Sequence, residues 1–324
     1  MKKKNNYFAA LVVAMLTAIV IVTVIMIRES GRTAAPRQIH VIIDNSSDNR
    51  WVQFIAGMHQ AAEEQGISLT IMPTGRLSGL QDLESLLARA VAGGSDGVII
   101  QLMSGSEAAG MLETYSSSTN IEIVDGDDYE VMSNVVGIVS PDHTAIGEAI
   151  AREVMVFAQK PLQECSIGVI KGNEAMSSAQ ERLAGFEQTL ESGGGKISWI
   201  LYQNEESENV MDQLAEYPVP DILVALDNAG MEAAGEYAAG LPGKITLVGT
   251  GTSMKALYYL DSGVAQSLVV PEDYMMGYQS VTDLADYIHK NRVMPLARTV
   301  LHRVIHRDTL FAEENQEILF PLQR

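Results

Sequence analysis

The sequence predicts an α/β protein built from two Rossmann-like lobes, each with a parallel sheet. From Gln38 onward, short apolar runs alternate with amphipathic stretches of helical periodicity, which is typical of parallel strands covered by helices. The runs are too numerous for one compact open sheet, so we expect them to divide between two lobes. Both halves also begin with the same order of strand, polar loop and amphipathic helix.

The stretch from His40 to Gly66 shows this order most clearly. Residues 40–43 form a short, mostly β-branched run that suits a buried strand, and the six polar residues 44–49 that follow favour turns and helix caps. Apolar residues then recur at helical spacing until Gly66. Because ligands of open α/β sheets bind outside the carboxyl ends of the strands, residues 44–51 are predicted to line a binding site.

The other elements follow along the chain in the same alternation. Strands are predicted at 38–43, 68–72, 97–101, 120–124, 135–139, 165–170, 196–202, 221–226, 244–249 and 264–270. Helices are predicted near 50–65, 79–92, 105–116, 142–158, 176–192, 207–216, 228–239, 253–261 and 273–290. One last strand is predicted at 297–306, with Arg298, His302 and His306 on its exposed face. Two histidines spaced i, i+4 would suit a metal site on a helix, but alternation favours a strand, so no metal is expected.

The N-terminal segment predicts a membrane anchor. Residues 8–27 carry no charge, and as a helix they would span about 30 Å, the thickness of a bilayer core. Lysines at 2–4 predict a cytoplasmic tail over residues 1–7 and an extracytoplasmic C-terminal body. Residues 28–37 would form a tether. A cleaved signal peptide is an alternative with a poor cleavage site at 33–36, and a lipoprotein would need a cysteine just after the apolar run.

Composition excludes several classes of function. The formal net charge is −19, which argues against binding of nucleic acid. Cys165 is the single cysteine, so neither an intramolecular disulfide nor a cysteine-based zinc site is expected, and its apolar surroundings predict a buried strand residue. The H-E-x-x-H motif and the P-loop do not occur, so we expect neither an enzyme nor a cofactor.

A series of short motifs occurs in order after residue 38. They are an aromatic followed by Gly57 in the first helix, Gly93 to Ile100 (GGSDGVII), Ile123-Val124-Asp125, Glu181 to Phe186 (ERLAGF), Asp227-Asn228 and Leu247-Val248-Gly249. Together they resemble the type I periplasmic sugar-binding proteins, the ribose/galactose-binding class related to the effector domains of lactose-repressor-type regulators. The resemblance implies two lobes joined by three crossovers, with a sugar-sized ligand between them. Lobe 1 would comprise 38–141 plus 272–291, and lobe 2 would comprise 142–270 plus 292–324.

A sugar site needs an aromatic surface together with carboxylates and amides that bind hydroxyl groups. We predict that Trp51, which matches a family aromatic, stacks on the ligand and that Asp125 and Asp227 accept hydrogen bonds from it. The alternatives are that Trp51 packs its helix on the sheet, and that Asp125 caps a turn and Asp227 a helix. Further candidates are Gln101, Arg50, Ser47, Asp48 and Asn228, with Glu174 as a weaker one, and Gln180, which stands where the ribose-binding pattern has an arginine.

The chain departs from the family at three places in the expected site. The acid of the "GFDG" motif is absent from Gly249 to Thr252, Gly126 replaces an arginine that is often paired with the fourth-strand Asp, and Pro271 replaces a late glutamine. The resemblance therefore implies the fold but does not identify the ligand.

These features together predict a membrane-anchored extracytoplasmic receptor for a sugar or sugar-like molecule. The ligand would favour the closed form, because only that form contacts it from both lobes. The expected partner is an ABC permease or the sensor domain of a histidine kinase, and an uncleaved anchor favours the kinase. A ligand-free interaction or structural protein on the same fold is the alternative.

Overall fold

The computed structural model describes residues 15–23, 36–103, 106–126, 135–202, 210–290 and 296–320. The chain divides into two compact units, residues 1–37 and 38–324. In the first unit, residues 15–23 form helix α1. The remainder of the predicted anchor, residues 8–14 and 24–27, lies outside the described residues. No helix in the described ranges is long and apolar enough to cross a membrane.

The second unit contains two six-stranded sheets. The first, in spatial order, consists of β11 (Leu296–Val300), β5 (Gly137–Pro141), β4 (Asn120–Val124), β3 (Gly97–Gln101), β1 (Arg37–Ile42) and β2 (Ile67–Ile71). The second consists of β12 (His302–His306), β10 (Ala265–Pro271), β9 (Thr246–Thr250), β8 (Ile222–Ala225), β6 (Ile167–Lys171) and β7 (Ile197–Tyr202). We call the sheets with their covering helices lobe 1 and lobe 2. The predicted two-lobe α/β fold is confirmed.

Helices cover both sheets. They are α2 (Trp51–Gln65), α3 (Leu80–Ala92), α4 (Ser106–Ser116), α5 (His143–Phe157), α6 (Ser177–Ser192), α7 (Val210–Glu216), α8 (Asn228–Ala239), α9 (Met254–Asp261), α10 (Asp273–Lys290) and α11 (Glu313–Leu319), with a short 3-10 helix at Leu162–Glu164. Every residue of β3, β6, β8 and β9 is buried, because helices pack on both faces of the sheets. This explains why these strands are continuous apolar runs in the sequence.

The prediction of a single strand at 297–306 was wrong. The chain pairs with lobe 1 through β11, which runs parallel to β5, and then pairs with lobe 2 through β12, which runs antiparallel to β10. Leu301 separates the two strands. Residues 296–300 therefore belong to the lobe 1 sheet, and the assignment of all of 292–324 to lobe 2 is corrected at this strand.

Each lobe contains one pair of helices whose backbones touch through glycines. In lobe 1, an added Cβ at Gly57 of α2 would lie 2.0 Å from the carbonyl oxygen of Tyr274 in α10. In lobe 2, an added Cβ at Gly147 of α5 would lie 2.0 Å from the carbonyl oxygen of Arg182 in α6. Only glycine permits so close an approach, so these positions fix how the helices cross over the sheets.

Glu122 on β4 is a buried acid with an unusual environment. Neither of its carboxylate oxygens accepts a hydrogen bond from the described residues. Burial, followed by the negative charge of Asp283, raises the pKa of Glu122 well above its ordinary value, and the charge of Arg298 offsets this only in part. Arg298 itself donates two hydrogen bonds to Asp283. The neutral acid is therefore the favoured form of Glu122.

Glu122→Gln is expected to stabilise the protein at alkaline pH. Because the pKa of Glu122 is raised in the folded state, its side chain is neutral at low pH and burial of it then lowers the free energy of unfolding only slightly. As the pH rises through that pKa, the free energy of unfolding falls. Glutamine stays neutral, so the free energy of unfolding of the variant should exceed that of the wild type at pH 8 and equal it near pH 4. Urea denaturation from pH 4 to 9 measures this. The exposed Glu113→Gln on α4 is the control, and equal pH profiles for wild type and Glu122→Gln would contradict the interpretation.

Candidate functional site

The carboxyl ends of the strands of the two lobes face each other across a cleft. Met103 after β3 forms a bridge with Met176 of lobe 2. The side-chain amide of Asn173, which follows β6, donates a hydrogen bond of 2.9 Å to the carbonyl oxygen of Leu77 in lobe 1. These contacts bring polar residues from both lobes together, as expected for a ligand site at strand ends.

A small polar cavity of about 50 Å³ lies within this cleft. Lobe 1 contributes Asp44, Asp48 and Arg76 to its walls, and lobe 2 contributes Asn173, Asp227 and Asn228. The side-chain amide of Asn228 also lies 3.4 Å from Asp48 Oδ1, as a hydrogen bond between the lobes. The walls therefore offer carboxylates, amides and a guanidinium group, which are the groups that bind hydroxyl-rich molecules.

Two larger cavities lie elsewhere, at the amino ends of the lobe 2 strands. Their volumes are about 270 and 350 Å³, and both are lined around Gln159, Ile245 and Thr246. Every residue that lines them belongs to lobe 2, so neither is placed between the lobes. The cleft is the better candidate because residues of both sheets converge there.

Asp125 is the centre of a buried polar network at the bottom of the cleft. Its side chain is 1% exposed. Asp125 Oδ2 accepts hydrogen bonds from Arg50 Nη2 at 2.7 Å, Gln101 Nε2 at 2.6 Å and Ser178 Oγ at 3.3 Å. The Nε2 atom of His143 lies 3.2 Å from Oδ1. Lobe 1 supplies Arg50 and Gln101, whereas His143 and Ser178 belong to helices of lobe 2, so Asp125 joins the two lobes.

The charge state of this network follows from its contacts. Burial alone would raise the pKa of Asp125, but the nearby charge of Arg50 holds it well below its ordinary range. Burial lowers the pKa of His143. Arg182 Nη2 lies 2.8 Å from His143 Nδ1, and arginine can only donate, so Nδ1 accepts and the remaining proton of a neutral ring lies on Nε2, facing Asp125. An ionised Asp125 and a neutral His143 result.

Asp227 lies two residues after β8, at the start of α8, and lines the cavity. Its Oδ1 atom accepts a hydrogen bond from the backbone N–H of Gly230 and so caps α8. Its Oδ2 atom lies over Gly172, where an added Cβ would approach it to 1.9 Å. Burial raises the pKa of Asp227. The predicted cap is therefore present, and the same side chain also lines the cavity.

The predicted site residues separate into three groups. Asp48, Arg50, Asp227 and Asn228 line the cavity, and Gln101 and Asp125 lie in the buried network below it. Gln180 and Ser47 are exposed and make local hydrogen bonds, to the Glu174 carbonyl and to Asn45 Oδ1, so this structure does not place them in the cavity.

Trp51 lies in the core of lobe 1, with 1% of its surface exposed. Its indole N–H donates to the carbonyl oxygen of Asp44, and its ring packs against Phe54. The guanidinium carbon of Arg50 lies 4.0 Å from the ring centroid and covers one face. This placement matches the packing alternative, and stacking of a ligand on Trp51 would require Arg50 to move.

Several residues of the site were not identified from the sequence. They are Arg76, Asn173, His143, Ser178, Arg182 and Asp273. Asn173 lies two residues after β6, so the strand-end argument could have identified it, as it did Asp44 within the predicted stretch 44–51. Asp273 begins α10, and burial raises its pKa to about 7. In the described part of the chain, no cluster of three or more histidine, cysteine or acidic residues could hold a metal ion.

Comparison with known proteins gives one family match. The sequence matches the family described as periplasmic binding protein domain over residues 39–292. No curated protein matches the chain.

Solved structures of similar fold cover most of this chain. A carbohydrate transporter solute-binding protein from Agrobacterium radiobacter, solved with D-arabinose, is 19% identical, with a TM-score of 0.78 over 89% of this chain and 100% of its own. GanP, a glucose-galactose binding protein from Geobacillus stearothermophilus, is 19% identical, with a TM-score of 0.74 over 85% and 99%. XylFII in a XylFII–LytSN complex is 17% identical, with a TM-score of 0.73 over 84% and 98%.

Proposed function

The chain belongs to the periplasmic binding protein domain family, and on this premise we propose that it is an extracytoplasmic receptor for a sugar or sugar-like molecule. The observation that carries the proposal is the polar cleft whose walls come from both lobes. Asp48 and Asp227 supply acceptors from opposite sides, and Asn173 and Asn228 supply amides that both donate and accept. Sugar-bound and sugar-binding proteins of the same fold support this ligand class.

Ligand binding would act through the relative position of the lobes. Because the polar groups sit at the strand ends of separate sheets, only the closed form can contact one small molecule with both sets. A ligand that makes these contacts binds the closed form more tightly than the open form. The difference between the two affinities sets how far binding shifts the population towards the closed form. The closed surface would then be the signal that a partner recognises.

The proposed partner is an ABC permease or the sensor domain of a histidine kinase. The fold neighbours include transporter solute-binding proteins, which supports the permease, and XylFII was solved in a complex with LytSN, which supports a dedicated protein partner. We also propose that residues 8–27 anchor the chain in the membrane, because they form a charge-free stretch that follows three lysines. A tethered receptor does not have to diffuse, which favours a sensor.

The proposal is tested by calorimetric titration of the full-length protein with D-arabinose, D-galactose, D-glucose, D-fucose and D-tagatose. At least one of these sugars should bind. Asp227→Asn should then raise its Kd about fivefold, because a hydrogen bond to a charged group contributes about 1 kcal/mol more than one to a neutral group. Asparagine is as good a helix cap as aspartate, so α8 should remain intact.

The matched control is Asp142→Asn. Asp142 caps α5 in the same way, by accepting a hydrogen bond from the Ala145 N–H, but it does not line the cavity. This variant should bind the sugar as the wild type does. Failure of every sugar to bind would overturn the proposal, and equal affinities of wild type and Asp227→Asn would remove Asp227 from the site.

A ligand-independent interaction protein is the second candidate. It is favoured by the small volume of the cavity, about 50 Å³, whereas pockets for small molecules typically measure about 300–1,000 Å³. On this alternative the lobes would serve as a fixed surface for a protein partner, and none of the five sugars would bind.

A further inference from the structure

The deep end of the cleft is occupied by a side chain of the protein itself. The guanidinium group of Arg50 lies between the Trp51 ring, 4.0 Å from its centroid, and Asp125, 2.7 Å away. It therefore covers an aromatic face and donates to a carboxylate, which are the two kinds of contact that a sugar makes in a protein. The Arg50 side chain is 22% exposed, so this group is held rather than free in the cleft.

The same carboxylate also connects the lobes. Asp125 belongs to lobe 1, and it accepts a hydrogen bond from Ser178 on α6 of lobe 2 and lies 3.2 Å from His143 on α5. Further contacts between the lobes surround this centre. They are the bridge between Met103 and Met176, the bond from Asn173 to Leu77 and the bond from Asn228 to Asp48.

We propose that Arg50 is an internal substitute for the ligand that holds the Asp125 carboxylate in place, and that the contact of Asp125 with Ser178 is a latch that closes the lobes in the absence of sugar. This goes beyond the proposed receptor role, because every group of the latch belongs to the protein itself. Asp125 is 1% exposed and does not line the cavity, whereas Arg50, which donates to it, does. A ligand in the cavity therefore reaches Asp125 only by displacing Arg50.

The size of the cavity supports this arrangement. Its volume of about 50 Å³ is far below the roughly 300–1,000 Å³ of typical small-molecule pockets. A monosaccharide ring cannot enter that space while Arg50 remains in place. Outward rotation of Arg50 would uncover the Trp51 face and the Asp125 carboxylate together, so one movement would open both parts of the deep subsite.

The inference is tested by measuring the distance between the lobes without sugar. Spin labels are attached to Gln81→Cys on α3 and Ala184→Cys on α6, two exposed positions on different lobes, while the native Cys165 is buried. Full-length protein is dialysed from denaturant to remove any co-purified sugar, and pulsed electron paramagnetic resonance then gives the distance distribution. The wild type should show a short-distance, closed population. Arg50→Ala and Ser178→Ala should each shift it towards longer distances.

The controls remove the same chemical groups at exposed positions. Arg89→Ala on α3 and Ser192→Ala at the end of α6 should leave the distribution of the wild type unchanged. Ser178→Ala removes a single hydroxyl group, so it keeps the test valid if Arg50→Ala fails to fold. A wild type found only at the long distance would overturn the latch, as would variants with the wild-type distribution. If no sugar binds, the proposed function is overturned. The distances between the lobes are measured without sugar, so they test the latch independently of that result.

Discussion

Asp125→Asn is expected to lower the free energy of unfolding by about 3 kcal/mol at pH 7. The variant leaves the buried end of Arg50 without its counterion, and removal of one partner from a buried ion pair typically costs about 3–5 kcal/mol. We expect the lower end of this range because the Arg50 side chain is not fully buried: it is 22% exposed to solvent. Urea denaturation followed by circular dichroism measures the difference.

The substitution is otherwise conservative at this position. Asp125 has a φ of +53°, in the left-handed region, which asparagine adopts as readily as aspartate. Backbone strain therefore does not contribute to the result. The control is Asp261→Asn, an exposed acid at the end of α9, which should change stability by less than about 0.5 kcal/mol. Equal stabilities of the two variants would contradict the ion-pair interpretation.

The pH dependence of this difference has a definite sign. The pKa of Asp125 is lower in the folded protein than its ordinary value of 3.8, so its stabilising contribution is complete above that value. As the pH falls through the lowered folded-state pKa, the carboxylate is protonated and the contribution disappears. The gap between wild type and Asp125→Asn should therefore be constant from pH 5 to 8 and should narrow only in stronger acid.

Gly147→Ala is expected to be at least as destabilising, at about 3 kcal/mol or more. The new methyl group would lie 2.0 Å from the carbonyl oxygen of Arg182 and 2.7 Å from the backbone nitrogen of Phe186. Overpacking typically costs about 1–3 kcal/mol, and here the obstacle is helix backbone, which cannot rotate away. Helices α5 and α6 would have to separate, which also moves Arg182 at the edge of the cleft. Thermal and urea denaturation measure the loss.

Gly110→Ala provides the matched control for this prediction. Gly110 also lies inside a helix, α4, but an added Cβ there would meet no described atom within 4 Å. Both changes reduce the conformational entropy of the unfolded chain equally. Gly110→Ala should therefore stabilise the protein by about 0.5–1 kcal/mol, the usual gain of alanine over glycine in a helix. A loss of stability for Gly110→Ala, or none for Gly147→Ala, would contradict the packing argument.

The strand-end rule explains how much of the site could be predicted from the sequence. Asp48, Asp227 and Asn228 follow apolar strands closely, and parallel strands bring their carboxyl ends to one edge, so their convergence on the cavity was predictable. The burial of Trp51 was also readable, since Trp51, Phe54 and Met58 occupy one face of α2. That periodicity predicts a core residue more directly than a stacking surface.

The remainder depends on contacts between distant parts of the chain. The donors to Asp125 come from positions as far apart as Arg50 and Ser178, and no local pattern shows that they meet. The transfer of the chain between sheets at Leu301 is equally invisible, because β11 and β12 continue one alternating pattern on two different partners. Alternation of side chains indicates a strand, but it does not indicate which sheet the strand joins.

The most direct test of a sugar site between the lobes is a crystal structure of the protein grown with the sugar that binds best in the titrations. We expect density for that sugar in the cleft, in contact with Asp48 of lobe 1 and Asp227 of lobe 2, and with Arg50 rotated away from Trp51. Sugar bound to one lobe alone, or at the amino ends of the lobe 2 strands, would contradict this site.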